Sequence, residues 1–539
     1  MSMTDKISSS WTSADDALVE NAIRRGASRR DLLQMLMAGG LAASASSLVL
    51  ARATSALAAT PVKGGNLKAA GWSSSTADTL DPAKASLSTD YVRCCAFYNR
   101  LTFLDGDGKL QMELAEKFET KDAKVWTVTL KKGVTFHDGK PLTSADVIYS
   151  LKRHLDPAVG SKSNSLAKQM IEFKAVDPLT VEITLAAPNG DLPTILSTHH
   201  FMIIADGTTN FAKANGTGAF TCESFEPGVR SIAVRNKNYF KSGGANLDSF
   251  EFFAITDDTA RVNALLSGDI QLAAAINPRS MRLVESQPGV VLSKTTTGNY
   301  TNLNMRLDMA PGNKADFVAG MKYLLNREQI QKSALRGLAE IANDQPVPPM
   351  NVYHNKDLKP KAFDPERAKS LFQKAGVLGQ SIPIVASDAA GSSVDMAVLV
   401  QQAGNAIGMK FDIQRVPSDG YWSNYWLKAP VHFGNINPRP TPDILFSLLY
   451  ASTAPWNESQ YKSEKFDKML IEARGSLDEA KRKQIYGEMQ AMVADEAGTA
   501  IPVYISNVDA ISNKLKGLLP NPLGGMMGYA FAEYVWLER

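Results

Sequence analysis

Two stretches in the second half of the chain combine aromatic rings with amide groups, a pairing suited to holding small polar molecules. Residues 421–426 read Tyr-Trp-Ser-Asn-Tyr-Trp, so on a helix Trp422 and Trp426 would share one face. Trp456 and Asn457 follow a Ser-Thr-Ala-Pro stretch that predicts a loop, and loops on a rigid scaffold often carry binding groups. The tryptophans of the first stretch are equally typical of a packed core. All four residues are therefore candidate contacts for a small solute.

Nucleophilic catalysis has little support in the residue pattern. A hydrolase needs a nucleophile and a base that a third group orients, and the chain has no Gly-x-Ser-x-Gly elbow. His137 and Asp138 have the composition of a dyad but lie in a predicted turn. Gly216-Thr217-Gly218 is too short to cradle phosphate and predicts a tight turn. We expect a protein that is not an enzyme, with an exported hydrolase as the remaining alternative.

The histidines are few and poorly spaced for a metal site. His199 and His200 are neighbours, and successive side chains on a strand point to opposite faces, so the pair would not easily bind one ion. His154, His354 and His432 are scattered without ligand spacing. We expect no cofactor and no bound metal, and keep a metal or metal-chelate carrier as an alternative.

Length and composition indicate a multilobed globular body. The chain has 539 residues, beyond the ~250–300 at which single cores stop growing. Apolar residues make up 44 % and charged residues 21 %, which is ordinary for a globular protein. The net charge of +3 over this length leaves no basic stripe, so nucleic acid is not expected as a partner.

The first 58 residues have the order of a secretory signal peptide. Arg29 and Arg30 precede a moderately apolar run, 35–50, and Ala56-Leu57-Ala58 fits a small-x-small cleavage site. The arginine pair resembles the twin-arginine export motif. An uncleaved membrane anchor is the alternative. No cysteine ends the apolar run for lipid attachment, so we expect a freely diffusing periplasmic protein.

The rest of the chain mixes strands and helices. Period-two alternation predicts strands at 126–130, 134–136, 181–185 and 231–235, and a further strand at 500–505. Thr143 and Asp146 form a capping-box pattern that predicts a helix. Asp364-Pro365 starts a second helix, which Ala375-Gly376 ends, and helical spacing covers 477–494. The fold class is α/β or mixed α+β. Cys94 and Cys95 are adjacent, so at most one disulfide, to Cys222, is expected.

The stretch 130–147, Leu-Lys-Lys-Gly-Val-Thr-Phe-His-Asp-Gly-Lys-Pro-Leu-Thr-Ser-Ala-Asp-Val, resembles the signature of the family 5 solute-binding proteins of oligopeptide, dipeptide and nickel importers. Further matches occur in the same order, at 80–82, 216–220, 227–228, 261–270, 326–330 and 364–365. The resemblance covers essentially all of the exported chain.

This resemblance implies a bilobal periplasmic-binding-protein fold with a two-stranded hinge and an extra third domain. In this numbering the first lobe would take residues 59–98, 206–300 and 501–539. The extra domain would take 99–205, and the second lobe 301–500. A solute that bridges the lobes shifts the equilibrium toward closure in proportion to its preference for the closed state.

The resemblance also suggests ligand contacts. Relatives contact their ligands at the crossing between lobes, which corresponds here to Asn299 and Tyr300. They also have an aromatic residue that matches Tyr98, and Asn99 follows it in this chain. Peptide-binding relatives place an aspartate for the ligand's amino group where this chain has Asn435, Asn437, Arg439 and Asp443. Asp443 is the only carboxylate of that stretch, and Arg439 could clamp a ligand carboxylate through its planar fork.

The expected function is that of a periplasmic substrate-binding protein of an ABC importer. It would capture a peptide-like or amino-acid-derived solute, such as an opine, and deliver it as a monomer to the membrane permease subunits. Because prolines precede Asp443 and the stretch departs from the relatives' pattern at this aspartate, it favours an opine or another small polar solute over an ordinary peptide.

Overall fold

The computed structural model describes residues 61–538 except 107, 419 and 522. The predicted signal peptide, 1–58, lies outside the described residues. Among the helices of the described part, none has the length and apolar character needed to cross a bilayer.

The strands in the described part are β1 Asn66–Gly71, β2 Thr102–Leu104, β3 Leu110–Met112, β4 Ala115–Thr120, β5 Val125–Leu130, β6 Met170–Asp177, β7 Thr180–Leu185, β8 Phe220–Glu226, β9 Arg230–Arg235, β10 Ser249–Ala254, β11 Leu272–Ala273, β12 Val290–Met305, β13 Ala339–Ile341, β14 Ser381–Ala386, β15 Lys410–Arg415, β16 Val431–Ile436, β17 Thr499–Ala500, β18 Val503–Ser512, β19 Leu515–Lys516 and β20 Trp536–Leu537.

Between residues 61 and 538 the α-helices described are α1 Ser88–Phe97, α2 Ser144–Arg153, α3 Asn164–Ala167, α4 Leu192–Ile195, α5 Asp258–Leu266, α6 Met281–Glu285, α7 Ala315–Leu324, α8 Arg327–Gln329, α9 Pro365–Lys374, α10 Ser393–Ala406, α11 Tyr421–Asn424, α12 Pro442–Leu449, α13 Glu464–Gly475 and α14 Glu479–Glu496. A π-helical turn, Ile330–Ala334, follows α8, and short turns lie at Gly525–Gly528 and Phe531–Glu533.

Local capping chemistry sets the starts of two helices as the sequence predicts. The backbone N–H of Thr143 donates to Asp146 Oδ2 at 2.8 Å, which closes the capping box of α2. Asp364 Oδ1 accepts the backbone N–H of Arg367 at 2.9 Å, with proline at the first position of α9. The predicted strands at 126–130, 181–185 and 231–235 correspond to β5, β7 and β9.

Three predicted elements differ in extent. Residues 134–136 form a single bridge between Thr135 and Pro141 instead of a strand. The strand predicted at 500–505 is divided into β17 and β18 around Pro502, which has no N–H for a sheet ladder. The helix expected over the Tyr-Trp repeat is only the four residues of α11.

The largest sheet has twelve strands and draws on both ends of the described chain. Ten of them lie in the order β15-β14-β16-β12-β18-β11-β1-β10-β9-β8, while β13 pairs with β18 and β17 with β12. β12 pairs antiparallel with β18 from Val290 to Asn299 and then with β16 from Tyr300 to Met305. One continuous strand therefore connects β14–β16 to β1 and β8–β11.

A separate antiparallel sheet has the order β4-β5-β7-β6. Trp126, Val128 and Leu130 of β5 are buried on one face, and α2 packs over it through Val147 and Leu151. Distinct apolar cores lie under this sheet, around β1 and β8–β10, and around β14–β16. The chain thus builds several cores, as its length predicts.

The three cysteines are buried and unpaired. Burial raises the pKa of the Cys95 thiol to about 12 and also raises the pKa values of Cys94 and Cys222. No disulfide is formed between Cys222 and the adjacent pair, so the fold depends on its cores.

Candidate functional site

A cavity of about 730 Å³ lies where distant parts of the chain meet. Its walls come from residues 72–91, 162–166, 197–200, 437–456 and 523–529, together with Ala275, two residues of β12 and one of β18. This volume falls within the range of small-molecule sites in proteins. The cavity is therefore the candidate site.

A bulge in β12 brings that strand to the cavity. The β12–β18 register shifts between Thr296 and Asn299, and Thr297 and Asn299 both line the cavity. The Thr297 hydroxyl donates to the Ile505 carbonyl oxygen at 2.8 Å and accepts the Asn299 N–H at 3.1 Å. The intervening Gly298 packs between two prolines. The bulge thus directs polar groups of a central strand into the site.

Amide side chains connect this bulge to the end of β16. Asn299 Nδ2 donates to Asn437 Oδ1 at 3.1 Å, and both residues line the cavity. Behind them, Asn435 Nδ2 donates to Thr301 Oγ1 at 3.0 Å. These bonds fix the orientation of the amides before a solute binds, which lowers the entropy cost of binding.

Arg439 supplies a positive charge to the wall that follows β16. Its Nη1 donates to the carbonyl oxygens of Asn437 and Pro438, each at 3.1 Å. No carboxylate of the described residues lies within 4 Å of its guanidinium. Burial lowers the pKa of Arg439, yet a guanidinium stays protonated at neutral pH. Arg439 is thus an unpaired cation available to a ligand.

Another part of the wall is aromatic. The Tyr529 ring centre lies 5.4 Å from that of Tyr91 and 5.3 Å from that of His199, and His200 lies 5.5 Å from Tyr91. Burial lowers the pKa of His199 to about 3 and also lowers the pKa of His200. Both histidines are therefore neutral at physiological pH.

The two histidines correct one sequence expectation. They lie in a turn after α4, not on a strand, and both line the same cavity. Strand geometry therefore does not keep the two side chains from approaching one ion. Within the described residues no group of three or more His, Cys, Asp or Glu side chains is arranged to hold a metal.

Four of the twelve predicted contacts line the cavity: Asn299, Asn437, Arg439 and Trp456. Two others support them from behind. Trp426 donates its Nε1–H to Glu458 Oε1 at 2.6 Å, and its ring centre lies 5.7 Å from that of Trp456. Asn435 belongs to the amide chain described above.

The structure places the other six away from the cavity. Tyr98 and Tyr300 are buried in apolar cores. Asn99 is also buried, since its amide binds Glu113 and Thr217. Asn457 is bonded to Tyr461 in its own loop, and Trp422 lies at the surface, 42 % exposed.

Asp443, the sixth of these, is engaged by another residue. The segment Thr441-Pro442 caps and starts α12, which places Asp443 in its first turn. There its Oδ1 accepts the Arg474 Nε–H at 2.8 Å. The carboxylate proposed for a ligand's amino group is therefore buried in an ion pair.

Sequence reasoning missed the aromatic wall, Lys162 and all of the serines that line the cavity. Tyr91 sits on α1 between Asp90 and Val92, and the histidines follow a short helix, so no spacing pattern identifies them. Their convergence depends on contacts between residues more than 100 positions apart.

His137 and Asp138 hold a loop in place. The Gly216 N–H donates to His137 Nδ1 at 3.2 Å, and Nε2 lies 3.1 Å from the Gly218 carbonyl oxygen. Asp138 accepts the Asn215 amide at 2.8 Å. A Cβ at Gly216 or Gly218 would overlap the Phe97 carbonyl oxygen. The 215–218 segment is thus a close-packed turn against the end of α1.

A polar cavity at the junction of several cores, on a mixed sheet with long connecting strands, is the arrangement of a bilobal solute-binding protein. The family model described as bacterial extracellular solute-binding proteins, family 5 middle, matches residues 109–458. The chain belongs to this family, and it is a solute-binding protein of the ABC-importer type.

Individual relatives match most of the chain. The glutathione-binding protein GsiB of Escherichia coli O6:K15:H31 is 26 % identical over 459 residues, covering 81 % of this chain and 89 % of the relative. DppA of Helicobacter pylori, solved with the peptide STSA, has a TM-score of 0.72 at 23 % identity over 90 % of this chain and 100 % of its own. AgaA of A. tumefaciens R10, solved with agropinic acid, has a TM-score of 0.71 at 23 % identity over 88 % and 99 %.

Proposed function

We propose that the protein closes two lobes around a small polar solute that carries a carboxylate, and passes it unchanged to the permease subunits of its importer. The solute would be peptide-like or amino-acid-derived. The relatives named above bind glutathione, a peptide and agropinic acid by their names, so the family architecture admits ligands of this size and polarity.

The division into lobes is part of this proposal. Lobe I would comprise 59–98, 206–300 and 501–539, the extra domain 99–205, and lobe II 301–500. The separate sheet β4-β5-β7-β6 and the distinct apolar cores support these limits. β12 and β18 would form the hinge, since they are the long strands that connect the two halves of the large sheet.

The observation that carries the proposal is the unpaired guanidinium of Arg439 in the cavity. Two of its bonds go to backbone carbonyls, so its remaining N–H groups are available to a carboxylate, which the planar fork fits in a bidentate manner. Trp456, whose ring centre lies 5.9 Å from the Arg439 guanidinium carbon, would cover this pair from water.

We also propose that the protein acts as a monomer in the periplasm after export by the twin-arginine route. A protein that only binds its solute does not change the solute chemically. The ligand recovered from the protein should therefore be chemically identical to the ligand supplied.

The test begins with mass spectrometry of small molecules released from the purified protein, followed by calorimetric titration of the compound found. Arg439→Gln should weaken binding by about tenfold to a hundredfold, because a charge-assisted hydrogen-bonded pair is lost. Arg415→Gln is the matched control, since Arg415 lies at the surface with Asp388 and should leave the affinity unchanged. Equal affinity in Arg439→Gln, or conversion of the solute, would rule the proposal out.

A further inference from the structure

We infer that the cavity selects an anionic solute whose body carries hydroxyl or amide groups and which lacks a free ammonium group. This inference rests on the proposed function and specifies the class of solute.

The charge of the cavity wall is one-sided. Arg439 and Lys162 both line the cavity, and neither has a carboxylate within 4 Å in the described part of the chain. None of the cavity-lining residues is Asp or Glu. A cation entering this space would be repelled by the partly buried Arg439 and, more weakly because water screens it, by the exposed Lys162, while an anion would be attracted.

The two histidines of the lining supply no negative charge that could pair with a ligand ammonium group. His199 Nε2 lies 2.9 Å from the Gly528 carbonyl oxygen, and His200 Nε2 lies 3.0 Å from the Ala85 carbonyl oxygen. A hydrogen bond to a carbonyl oxygen requires a proton on Nε2, so each neutral ring takes the Nε2–H tautomer. Because burial lowers the pKa of both histidines, the rings are uncharged at neutral pH, and backbone contacts hold them in place.

Carboxylates close to lining residues in the sequence are already engaged. Asp90, next to Tyr91, accepts the Thr79 N–H on Oδ1 at 3.0 Å and the Ser86 N–H on Oδ2 at 3.1 Å. Asp443 precedes the lining residue Ile444, but its carboxylate is bound to Arg474. Asp191, ahead of α4, is bound to Arg482. A ligand ammonium would lose its hydration in the cavity without gaining a carboxylate, and an unpaired charge in a protein interior is costly.

Neutral hydrogen-bonding groups make up most of the remaining polar lining. They include Ser86, Ser163, Thr297, Asn299, Asn437 and Asn507. Hydroxyls and amides both donate and accept, so they match hydroxyl or secondary amide groups of a solute. Together with the two cations, this lining fits a polyol acid or an N-acylated amino acid better than a zwitterionic peptide.

The experiment compares three compounds that differ only at one carbon of the same polyol chain: D-gluconate, D-glucitol and 1-amino-1-deoxy-D-glucitol. N-acetyl-L-alanyl-L-alanine and L-alanyl-L-alanine form a second comparison that differs in the ammonium group. Each is titrated at up to about 10 mM by thermal shift and calorimetry. We expect gluconate to bind at least tenfold more tightly than glucitol, the amine not to bind, and the acetylated dipeptide to bind more tightly than the free one.

Lys162→Gln should reduce the preference for gluconate over glucitol, whereas Lys332→Gln, an exposed lysine paired with Glu328, should not. Binding of the polyol amine equal to that of gluconate would overturn the inference, and so would the absence of any response to the anionic compounds. If the free dipeptide binds best and Arg439→Gln weakens it, the ammonium exclusion is wrong and the proposed function stands. If a bound compound is unaffected by Arg439→Gln, the proposed function itself fails.

Discussion

Arg482 of α14 forms a buried ion pair with Asp191, which lies 291 positions earlier in the chain. Beside this pair, the Gly190 N–H donates to the Arg474 carbonyl oxygen at 2.8 Å. In the proposed division, residues 190 and 191 belong to the extra domain and the two arginines to lobe II. The contact would then cross the cleft and form when the lobes close.

Arg482→Met should therefore weaken solute binding by about tenfold or more. In the closed form Asp191 would be left buried without its partner, while in the open form water would hydrate it, so closure becomes less favourable. Calorimetric titration of an identified ligand measures the change, and X-ray scattering reports whether the liganded protein is less compact.

The neighbouring Lys481→Gln serves as the control, because Lys481 forms an exposed pair with Glu472 and should have little effect. The double variant Asp191→Asn with Arg482→Met should recover part of the lost affinity. If Arg482→Met unfolded at a lower temperature but bound the solute as tightly as the wild type, the Arg482–Asp191 ion pair would be present in both the open and the closed form.

Gly298→Ala should lower both thermal stability and solute affinity. A Cβ at this position would lie 2.9 Å from Pro348 Cγ and 3.1 Å from Pro438 Cβ, so one of the two prolines must move. Pro438 adjoins Arg439, and its displacement would disturb the carboxylate site. Gly391→Ala is the control, since open space surrounds that position. Equal melting temperatures for the two variants would contradict this account of the bulge.

Glu458→Gln should change the pH dependence of stability. Burial raises the pKa of the Glu458 carboxyl to about 7, against an ordinary value of 4.5. The folded protein then binds a proton more tightly than the unfolded chain, so this group favours folding below pH 4.5 and loses that contribution as pH rises through 7. As pH rises across that window, the unfolding free energy of the variant should therefore increase relative to that of the wild type by on the order of 3 kcal/mol.

Denaturation curves of both proteins at pH 4.5, 6 and 8 provide the measurement. The amide also alters the bonds to Trp426 and Asn302, but that effect does not vary with pH. If the unfolding free energies of the two proteins changed with pH by the same amount, Glu458 would have an ordinary pKa in the fold.

The three thiols should be unreactive in the native protein and fully reactive after unfolding. Their burial and raised pKa values leave almost no accessible thiolate at pH 8. A thiol reagent such as Ellman's reagent should therefore detect about zero thiols before and three after adding denaturant without reductant. Detection of a single thiol in the denatured sample would indicate a disulfide.

Local chemistry in the sequence was sufficient for many of the elements. The capping pair Thr143 and Asp146 starts α2, Asp364 and Pro365 start α9, and the alternation in β5 buries Trp126, Val128 and Leu130 as predicted. Such signals involve residues within a few positions of each other. The family motif at 130–147 likewise identified the solute-binding family that the comparison with known proteins shows.

The composition of the cavity was decided only by tertiary structure. Arg439, Asn437 and Trp456 were recognisable as candidates, but their convergence with Tyr91, His199 and Tyr529 depends on the packing of separate cores along β12 and β18. Asp443 shows the same limit, because its partner Arg474 lies 31 positions away on another helix. Local patterns in the amino-acid sequence were thus enough to predict the class of protein and many of its elements. Which side chains remain unpaired in the cavity, and so what charge it offers a solute, was decided by contacts between distant residues.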